Sequence, residues 1–182
     1  KMHLAQLADF APETLSRIQD RDQLDYCMSE LRDSIHHNDE ETSLVLQYLF
    51  ALPEDEYYGH GTYAARLQVG FALRNYSPKL LSAYLCFCAQ RADFNFHDKV
   101  PKIIRDWQSG GGGAGVRAAR THRSLQYWCR QSAPADYARI CSTRFSTMLE
   151  QVLSKLSLAG VGRGVNRSGT DWDKADLLHR MV

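Results

Sequence analysis

The sequence has no long uninterrupted hydrophobic run, and this excludes a helix of about 20 apolar residues that could span a membrane. The longest apolar-rich stretch, residues 44–52, is interrupted by Gln47 and Tyr48. The first residues do not form a basic segment followed by an apolar core, so we predict no signal peptide. The chain opens on a lysine and ends inside a predicted helix, and we therefore expect a fragment of a longer, intracellular protein.

The chain has five cysteines, and this odd number argues against a disulfide framework. The spacing of the cysteines matches no such framework, so we expect reduced thiols inside a cell. A zinc site needs Cys-x-x-Cys pairs, whereas Cys86 and Cys88 are two residues apart, on different sides of a helix. We expect structural thiols and no metal or other cofactor. The cysteines are Cys27, Cys86, Cys88, Cys129 and Cys141.

No segment alternates apolar and polar residues with a period of two, so a β-sheet is not expected. Apolar residues instead recur at spacings of three and four, and 44% of the 182 residues are hydrophobic. Two such stripes predict buried helix faces, one at Leu24, Cys27, Met28, Leu31 and Ile35 and the other at Val100, Ile103, Ile104 and Trp107. The predicted fold class is all-α, with two small helical units joined by a glycine-rich linker. Helix starts are predicted at Asp22, Thr42 or Ser43, Thr62, Ser77, Asp98, Thr121, Pro134, and Thr170 or Asp171, with an acidic loop at residues 54–56.

Residues 109–115 read Ser-Gly-Gly-Gly-Gly-Ala-Gly and mark the clearest boundary. Glycine loses the most backbone entropy on ordering, so regular structure is unfavourable there. Neither this run nor residues 160–164 ends in Gly-Lys-Ser/Thr, so neither is a phosphate-binding loop. The predicted divisions are a helical segment at 1–47, a helical domain at 48–108, the linker at 109–120, a basic helical unit at 121–158, and a flexible tail leading into a helix at 159–182.

The net charge of +1 hides an asymmetry along the chain. Residues 1–109 hold 11 Lys/Arg against 16 Asp/Glu, a net charge of −5, whereas residues 110–182 hold 11 against 5, a net charge of +6. This split predicts an anionic partner, because arginine suits bidentate phosphate contacts. The alternatives are a solvated basic surface, or attraction to the acidic half or a neighbouring domain. The candidate nucleic-acid-binding residues are Arg117, Arg120, Arg123, Arg130, Arg139, Arg144, Lys155, Arg163 and Arg167.

Aromatic and histidine residues give further candidates. Tyr127 and Trp128 could stack on nucleic-acid bases, although we expect Trp128 to belong to the core. His36 and His37 precede acidic residues, but adjacent helical side chains point about 100° apart, so one metal ion would not easily take both. His60 lies between two glycines without a nucleophile or an orienting carboxylate. A solvated helix end and a loop residue are the expected roles of these histidines.

Four short motifs follow one another along residues 48–182. They are Leu-Phe-Ala-Leu-Pro at 49–53 with Tyr-Tyr-Gly at 57–59; Tyr63 with Val-Gly-Phe-Ala-Leu-Arg-Asn at 69–75 and a helix closing on Trp107; Ser-Leu-Gln-Tyr-Trp at 124–128 with Pro134 and Tyr137; and Gly-Thr-Asp-Trp-Asp-Lys-Ala-Asp-Leu-Leu at 169–178. This order resembles the region between the primase and the superfamily 3 helicase of large-DNA-virus primase–helicases of the poxvirus type.

The resemblance implies a non-catalytic helical connector that binds or positions template DNA, either single-stranded or template–primer. Residues 48–108 would be a primase C-terminal-like helical domain. The implied partners are the flanking primase and helicase, with no membrane, and a homo-oligomer would form through the missing helicase. The implied location is a replication site in the host nucleus or cytoplasm.

The chain departs from the family at several points. The family's tryptophan is absent near Ala65 and Arg66, and residues 1–47 lie outside the resemblance. The primase carboxylates and the helicase phosphate loop are absent, so no catalytic residue is carried over, although the parent protein would be a primase and NTP-dependent helicase.

Two other functions compete with this interpretation. A protein–protein adaptor without a nucleic-acid role would dock its basic half on an acidic surface. An enzyme that uses His60, or His36 and His37, is a weaker alternative, because no base, nucleophile and orienting group coincide.

Overall fold

The computed structural model describes residues 11–35, 39–109 and 120–161, with side chains described as far as residue 157. Within these ranges all regular structure is helical and no strand is present, which confirms the all-α fold class. None of the described helices is long and apolar enough to cross a membrane. The helices are α1 (Pro12–Leu15), α2 (Arg21–Ser34), α3 (Glu40–Phe50), α4 (Glu54–Tyr57), α5 (Tyr63–Tyr76), α6 (Leu81–Cys88), α7 (Phe96–Ser109), α8 (His122–Ser132) and α9 (Pro134–Val161).

Two helices begin earlier than predicted, because another side chain caps them. Asp20, rather than Asp22, caps α2, and its carboxylate accepts a hydrogen bond at 2.9 Å from the backbone amide three residues on. Asp39, rather than Thr42 or Ser43, caps α3 and accepts a hydrogen bond from the Thr42 amide at 3.0 Å. Several Asp, Ser and Thr residues compete at each helix end, and the backbone conformation selects among them.

Three other boundaries differ from the prediction. The prediction of an acidic loop at residues 54–56 is wrong, because these residues form α4 directly after Pro53. Helix α7 starts at Phe96, two residues before the predicted Asp98. The start predicted at Ser77 leads into a 3-10 turn, Pro78–Leu80, before α6 begins. The starts predicted at Thr62, Thr121 and Pro134 are confirmed, and the one at Thr170 or Asp171 lies outside the described residues.

Helix α6 is the centre of the core. All eight of its residues are buried, and α2, α3, α5 and α7 contact it. The ring of Tyr84 packs 5.4 Å from the ring of Trp107, and its hydroxyl donates to the carbonyl of Arg66 at 2.9 Å. Gly70 of α5 permits this close approach, because a Cβ atom there would lie 2.8 Å from Tyr84 Cζ. The buried faces predicted for α2 and α7 are confirmed at Leu24, Cys27, Met28, Leu31, Val100, Ile103, Ile104 and Trp107. Ile35, the last residue of the α2 stripe, follows the helix and is half-buried.

By its contacts the chain divides into two units, residues 1–141 and residues 142–182. Helices α2 and α3 of the predicted 1–47 segment belong to the first unit, and so does α8, which packs on α3 and α5. The sequence instead places a division at residues 109–120, of which 110–119 lie outside the described ranges. The difference arises because a glycine run signals a loop, but does not tell whether the helix beyond it returns to the same core.

The cysteines behave as structural thiols. All five are free, and four of them are buried. Burial raises the pKa of Cys86 and of Cys88 to about 12. Burial likewise raises the pKa of Cys27 and of Cys129 to about 11. These four thiols are buried, and their raised pKa values keep them protonated near neutral pH. Because the thiolate is the reactive form of cysteine, we expect them to be unreactive in the folded chain.

We expect Gly70→Ala to destabilise the protein by about 1–2 kcal/mol, since overpacking outweighs the gain in helix propensity. The ring of Tyr84 is fully buried and cannot move away from the added methyl group. Urea denaturation followed by circular dichroism measures this change. In a Tyr84→Leu background the same substitution should cost nothing, and an equal cost in both backgrounds would contradict the packing argument. Ala64→Gly, at an exposed position of α5, reports the propensity term alone.

We expect iodoacetamide to alkylate Cys141 of the folded chain first, because its side chain is partly exposed. The four buried thiols should react at least about 10-fold more slowly. Time-resolved peptide mass spectrometry at mildly alkaline pH measures the five rates. In denaturant the rates should converge, and fast modification of Cys88 in the folded chain would show that the core is open.

Candidate functional site

Helix α8 has one face that anchors it to the first unit. Thr121 precedes the helix in an extended conformation, and its backbone amide donates to Ser124 Oγ at 3.3 Å. Leu125 and Cys129 are both buried, one turn apart, against the core. The half-buried ring of Trp128 packs on Tyr57 of α4, with the ring centroids 6.1 Å apart. The expected core role of Trp128 is therefore met on this side of the helix.

Acidic side chains of the first 60 residues hold the two ends of α8. At its start, His122 Nε2 lies 3.1 Å from Glu41 Oε1, and the His122 ring packs edge-on against Tyr76. At its end, Ser132 Oγ donates to Glu56 at 2.5 Å and lies 3.2 Å from the Tyr57 hydroxyl. At both ends of α8 the acidic half of the chain thus contacts the basic half through a histidine and a serine side chain.

The opposite face of α8 carries a cationic and aromatic stripe. Spacings of four and three residues align Arg123, Tyr127 and Arg130, and Arg120 extends the line by one turn before the helix. We call these four residues the α8 stripe. Tyr127 is 60% exposed, a large value for an aromatic ring, and Arg123 and Arg130 are also exposed. The aromatic ring of Tyr127, a residue type that is usually at least partly buried, is here exposed on the same helix face as the arginines.

The arginines of the α8 stripe have no acidic partner within the described ranges. The ion pairs found there involve other residues. The carbonyl of Arg120 accepts a hydrogen bond from Asn75 Nδ2 at 2.8 Å, which fixes the backbone and leaves the guanidinium group free. Arg120 and Arg123 lie at the N-terminal end of α8, where the helix dipole adds to their positive charge and favours a phosphate group, whereas Arg130 lies in the last turn.

A cleft of about 390 Å³ lies along the N-terminal half of the stripe. Its size is in the range of small-ligand clefts, and it is open to solvent along its length. Gln68 of α5 supplies a side-chain amide, which can both donate and accept hydrogen bonds. The cleft is lined by Gln68, Arg120, Thr121, Arg123, Ser124, Tyr127 and Trp128.

Of the six other predicted basic residues, one lies in the first unit, two lie in the second unit, and three lie outside the described residues. Arg139 Nη2 donates to Asp136 Oδ1 at 2.8 Å, so its charge is already partly neutralised. Arg144 and Lys155 are exposed on α9 in the second unit. Arg117, Arg163 and Arg167 lie outside the described residues. Of the nine candidates, the structure therefore brings together Arg120, Arg123 and Arg130.

Sequence reasoning missed Gln68, which comes from the acidic half of the chain. No sequence signal singles it out, because its place in the cleft depends on the packing of α5 against α8. The alignment of Arg123, Tyr127 and Arg130, in contrast, can be read from their spacing once Leu125 and Cys129 are taken as the buried face.

The histidine candidates do not form a catalytic arrangement in the described residues. His60 is largely exposed, with its Nε2 atom 3.5 Å from Asp93 Oδ2 and beside Arg91. His36 and His37 lie outside the described ranges. Among the described residues, no group of three or more His, Cys, Asp or Glu side chains is placed to hold a metal ion.

No protein-family model matches the chain, and no curated protein or solved structure is similar to it. The resemblance to viral primase–helicases therefore stays a prediction.

We expect Asn75→Ala to loosen the start of α8 while changing global stability by only about 0.5–1.5 kcal/mol. The substitution removes the side chain that holds the Arg120 carbonyl. Hydrogen–deuterium exchange of the peptide covering residues 120–126 should speed up relative to the rest of the first unit. Asn95→Ala, which removes a similar side chain beside α7, serves as the control and should leave this peptide unchanged. Unaltered exchange in Asn75→Ala would mean that α8 is held by its apolar face alone.

Proposed function

We propose that this chain is a non-catalytic helical connector of a viral-type DNA primase–helicase, and that it binds template DNA through the α8 stripe. The observation that carries the proposal is the alignment of three unpaired arginines with an exposed tyrosine beside a solvent-open cleft. Arginines contact backbone phosphates, and an exposed aromatic ring stacks on a base without regard to sequence.

The chemistry of the stripe favours single-stranded over duplex DNA. Tyr127 can stack only on a base whose face is free, and the bases of a duplex are already stacked on one another. The cleft places Gln68 within the same site, where its amide can contact a base edge. A duplex would meet only the arginines, through its phosphates. The stripe is therefore a better fit for a template strand that has already been opened.

The wider setting of the proposal comes from the resemblance. In a primase–helicase, such a connector would hold the template between the domain that synthesises primers and the domain that unwinds the duplex. Primase, helicase and DNA would be its partners, at a replication site in the host nucleus or cytoplasm. The site itself needs no cofactor, because phosphate contacts and stacking are binding interactions.

We expect the fragment to bind a labelled single-stranded oligonucleotide with an affinity that falls with salt. Each phosphate contact adds roughly 0.7 to the magnitude of the slope of log affinity against log salt concentration. A stripe with three contacts therefore predicts a slope near −2, and the loss of one contact should make the slope shallower by roughly 0.7. Arg120→Glu and Arg123→Glu should each weaken binding and flatten the slope. Fluorescence anisotropy over a salt series measures both quantities. Arg105→Glu is the matched control, since it changes the net charge equally at an exposed position of α7.

Tyr127→Ala separates stacking from charge. It should weaken single-strand binding roughly 10-fold, leave duplex binding nearly unchanged, and keep the salt slope. In a variant with Trp107→Phe and Trp172→Phe, Trp128 is the only remaining tryptophan. Quenching of the Trp128 fluorescence then reports the binding of DNA in the cleft. Binding that responds equally to Arg105→Glu and Arg123→Glu would reject the stripe as the site. No binding at low salt would leave the adaptor function, in which the stripe docks on an acidic protein.

A further inference from the structure

The second unit presents an apolar surface with a regular spacing. Along α9 after Ser142, the large apolar side chains are exposed rather than buried. Phe145 is 68% exposed, Val152 is 45% exposed and Leu156 is 53% exposed, and Leu149 between them is partly covered. Met148 and Leu153 flank this line at 49% and 54% exposure. Single exposed apolar residues are ordinary, but a continuous row of six marks a contact surface.

The spacing of this row is that of a coiled-coil seam. Phe145, Leu149, Val152 and Leu156 are separated by four, three and four residues. A heptad pattern of this kind keeps one stripe facing a partner helix over its whole length. We call these four residues the α9 seam. Phe145, Val152 and Leu156 of this seam are left largely exposed by the other described residues of the second unit.

We infer that the α9 seam pairs with the α9 seam of a second copy of this chain, as an antiparallel two-helix interface. This inference goes beyond the proposed function and requires no nucleic acid. It assigns the apolar row of the second unit to self-association.

The order of residues in the seam is self-complementary when the two helices run antiparallel. Phe145 of one copy then meets Leu156 of the other, and Leu149 meets Val152. Each layer combines a larger side chain with a smaller one, which fills space better than stacking phenylalanine on phenylalanine. A two-fold axis between residues 150 and 151 relates the two copies, as in most homodimers.

The residues beside the seam do not select a different partner. Charged residues at the flanking heptad positions normally decide which helices pair. Here those positions hold Ser146, Met148, Leu153 and Lys155, a set with one charge. In the antiparallel arrangement Lys155 faces Met148 of the second copy, so no like charges meet. Nothing on this surface therefore opposes pairing with itself.

The area of the surface predicts a weak dimer. An aromatic side chain such as Phe145 covers roughly 150–250 Å² and the aliphatic ones cover less, so about half exposure at five positions leaves at most about 500 Å² of apolar surface per helix. Two copies together bury at most about 1,000 Å², which is the lower limit for a specific interface. The expected dissociation constant is micromolar, and the chain should be monomeric when dilute.

Sedimentation equilibrium of the whole 182-residue chain tests this inference, without DNA and with a reductant that prevents a Cys141 disulfide. The wild type should pass from monomer to dimer over a micromolar concentration series. Val152→Glu should weaken the dimer about 100-fold, because it places an unpaired charge in the seam. Ser154→Glu adds the same charge on the far side of the same helix, and it should leave the dimer unchanged.

Met148→Glu, compared with Met148→Gln, tests the direction of pairing. Both variants lose the same apolar contact, but only the glutamate places a carboxylate opposite Lys155 of the second copy, so at low salt its dimer should be about 2- to 5-fold tighter than that of the glutamine variant. Equal affinities of the two variants, or a weaker dimer for the glutamate variant, would overturn the antiparallel arrangement. A wild type that stays monomeric at every concentration would overturn the inference, and so would a dimer equally sensitive to Val152→Glu and Ser154→Glu. If the monomer persists and Val152→Glu lowers its melting temperature, another segment of the same chain covers the seam.

Discussion

The contact between Tyr84 and Gly70 is the constraint on which the first unit depends. The ring of Tyr84 occupies the space that a side chain at position 70 would fill, so this ring packs directly on the backbone of α5. The Tyr84 hydroxyl then reaches the Arg66 carbonyl, and its ring meets Trp107 of α7. This contact fixes α5 both along and around its axis. Gln68 and Asn75, on the same helix, are thereby held toward α8, where they line the cleft and hold its backbone.

The two faces of α8 explain how the charge asymmetry of the chain is used. A basic half and an acidic half in one chain are expected to attract each other, and two carboxylates of the acidic half, Glu41 and Glu56, do hold the ends of α8. These carboxylates contact His122 and Ser132, however, and not an arginine. Arg123 and Arg130 are exposed, Arg120 is half-exposed, and no ion pair of the described residues involves any of the three. The cost of holding like charges along one exposed helix face is small in water, since solvent and salt screen it.

Sequence reasoning was reliable where one local property decided the outcome. The spacing of Leu24, Cys27, Met28 and Leu31 predicted the buried face of α2, because a 3.6-residue period is a property of the helix itself. It failed where several residues could satisfy one local need, as with Asp20 and Asp22 at the same helix end. It also did not reveal that α8 packs with α3 and α5, since a glycine-rich run carries no information on what lies beyond it. The sequence does not point to Gln68 either, because its place in the cleft depends on a long-range contact between α5 and α8 and not on its neighbours in sequence.

The α8 stripe and the α9 seam rest on different physics, and this separates the two proposals. The stripe depends on charge and stacking, so its interactions weaken as salt rises. The seam depends on apolar burial, which salt leaves intact or strengthens. If both hold, each dimer carries two stripes, and a strand long enough to meet both binds more tightly than one stripe can explain, by the effective concentration of the second site. Such a gain would depend on protein concentration and on the length of the strand. If the chain stays monomeric, the affinity should depend neither on protein concentration nor on strand length, because each copy then binds a short strand on its own.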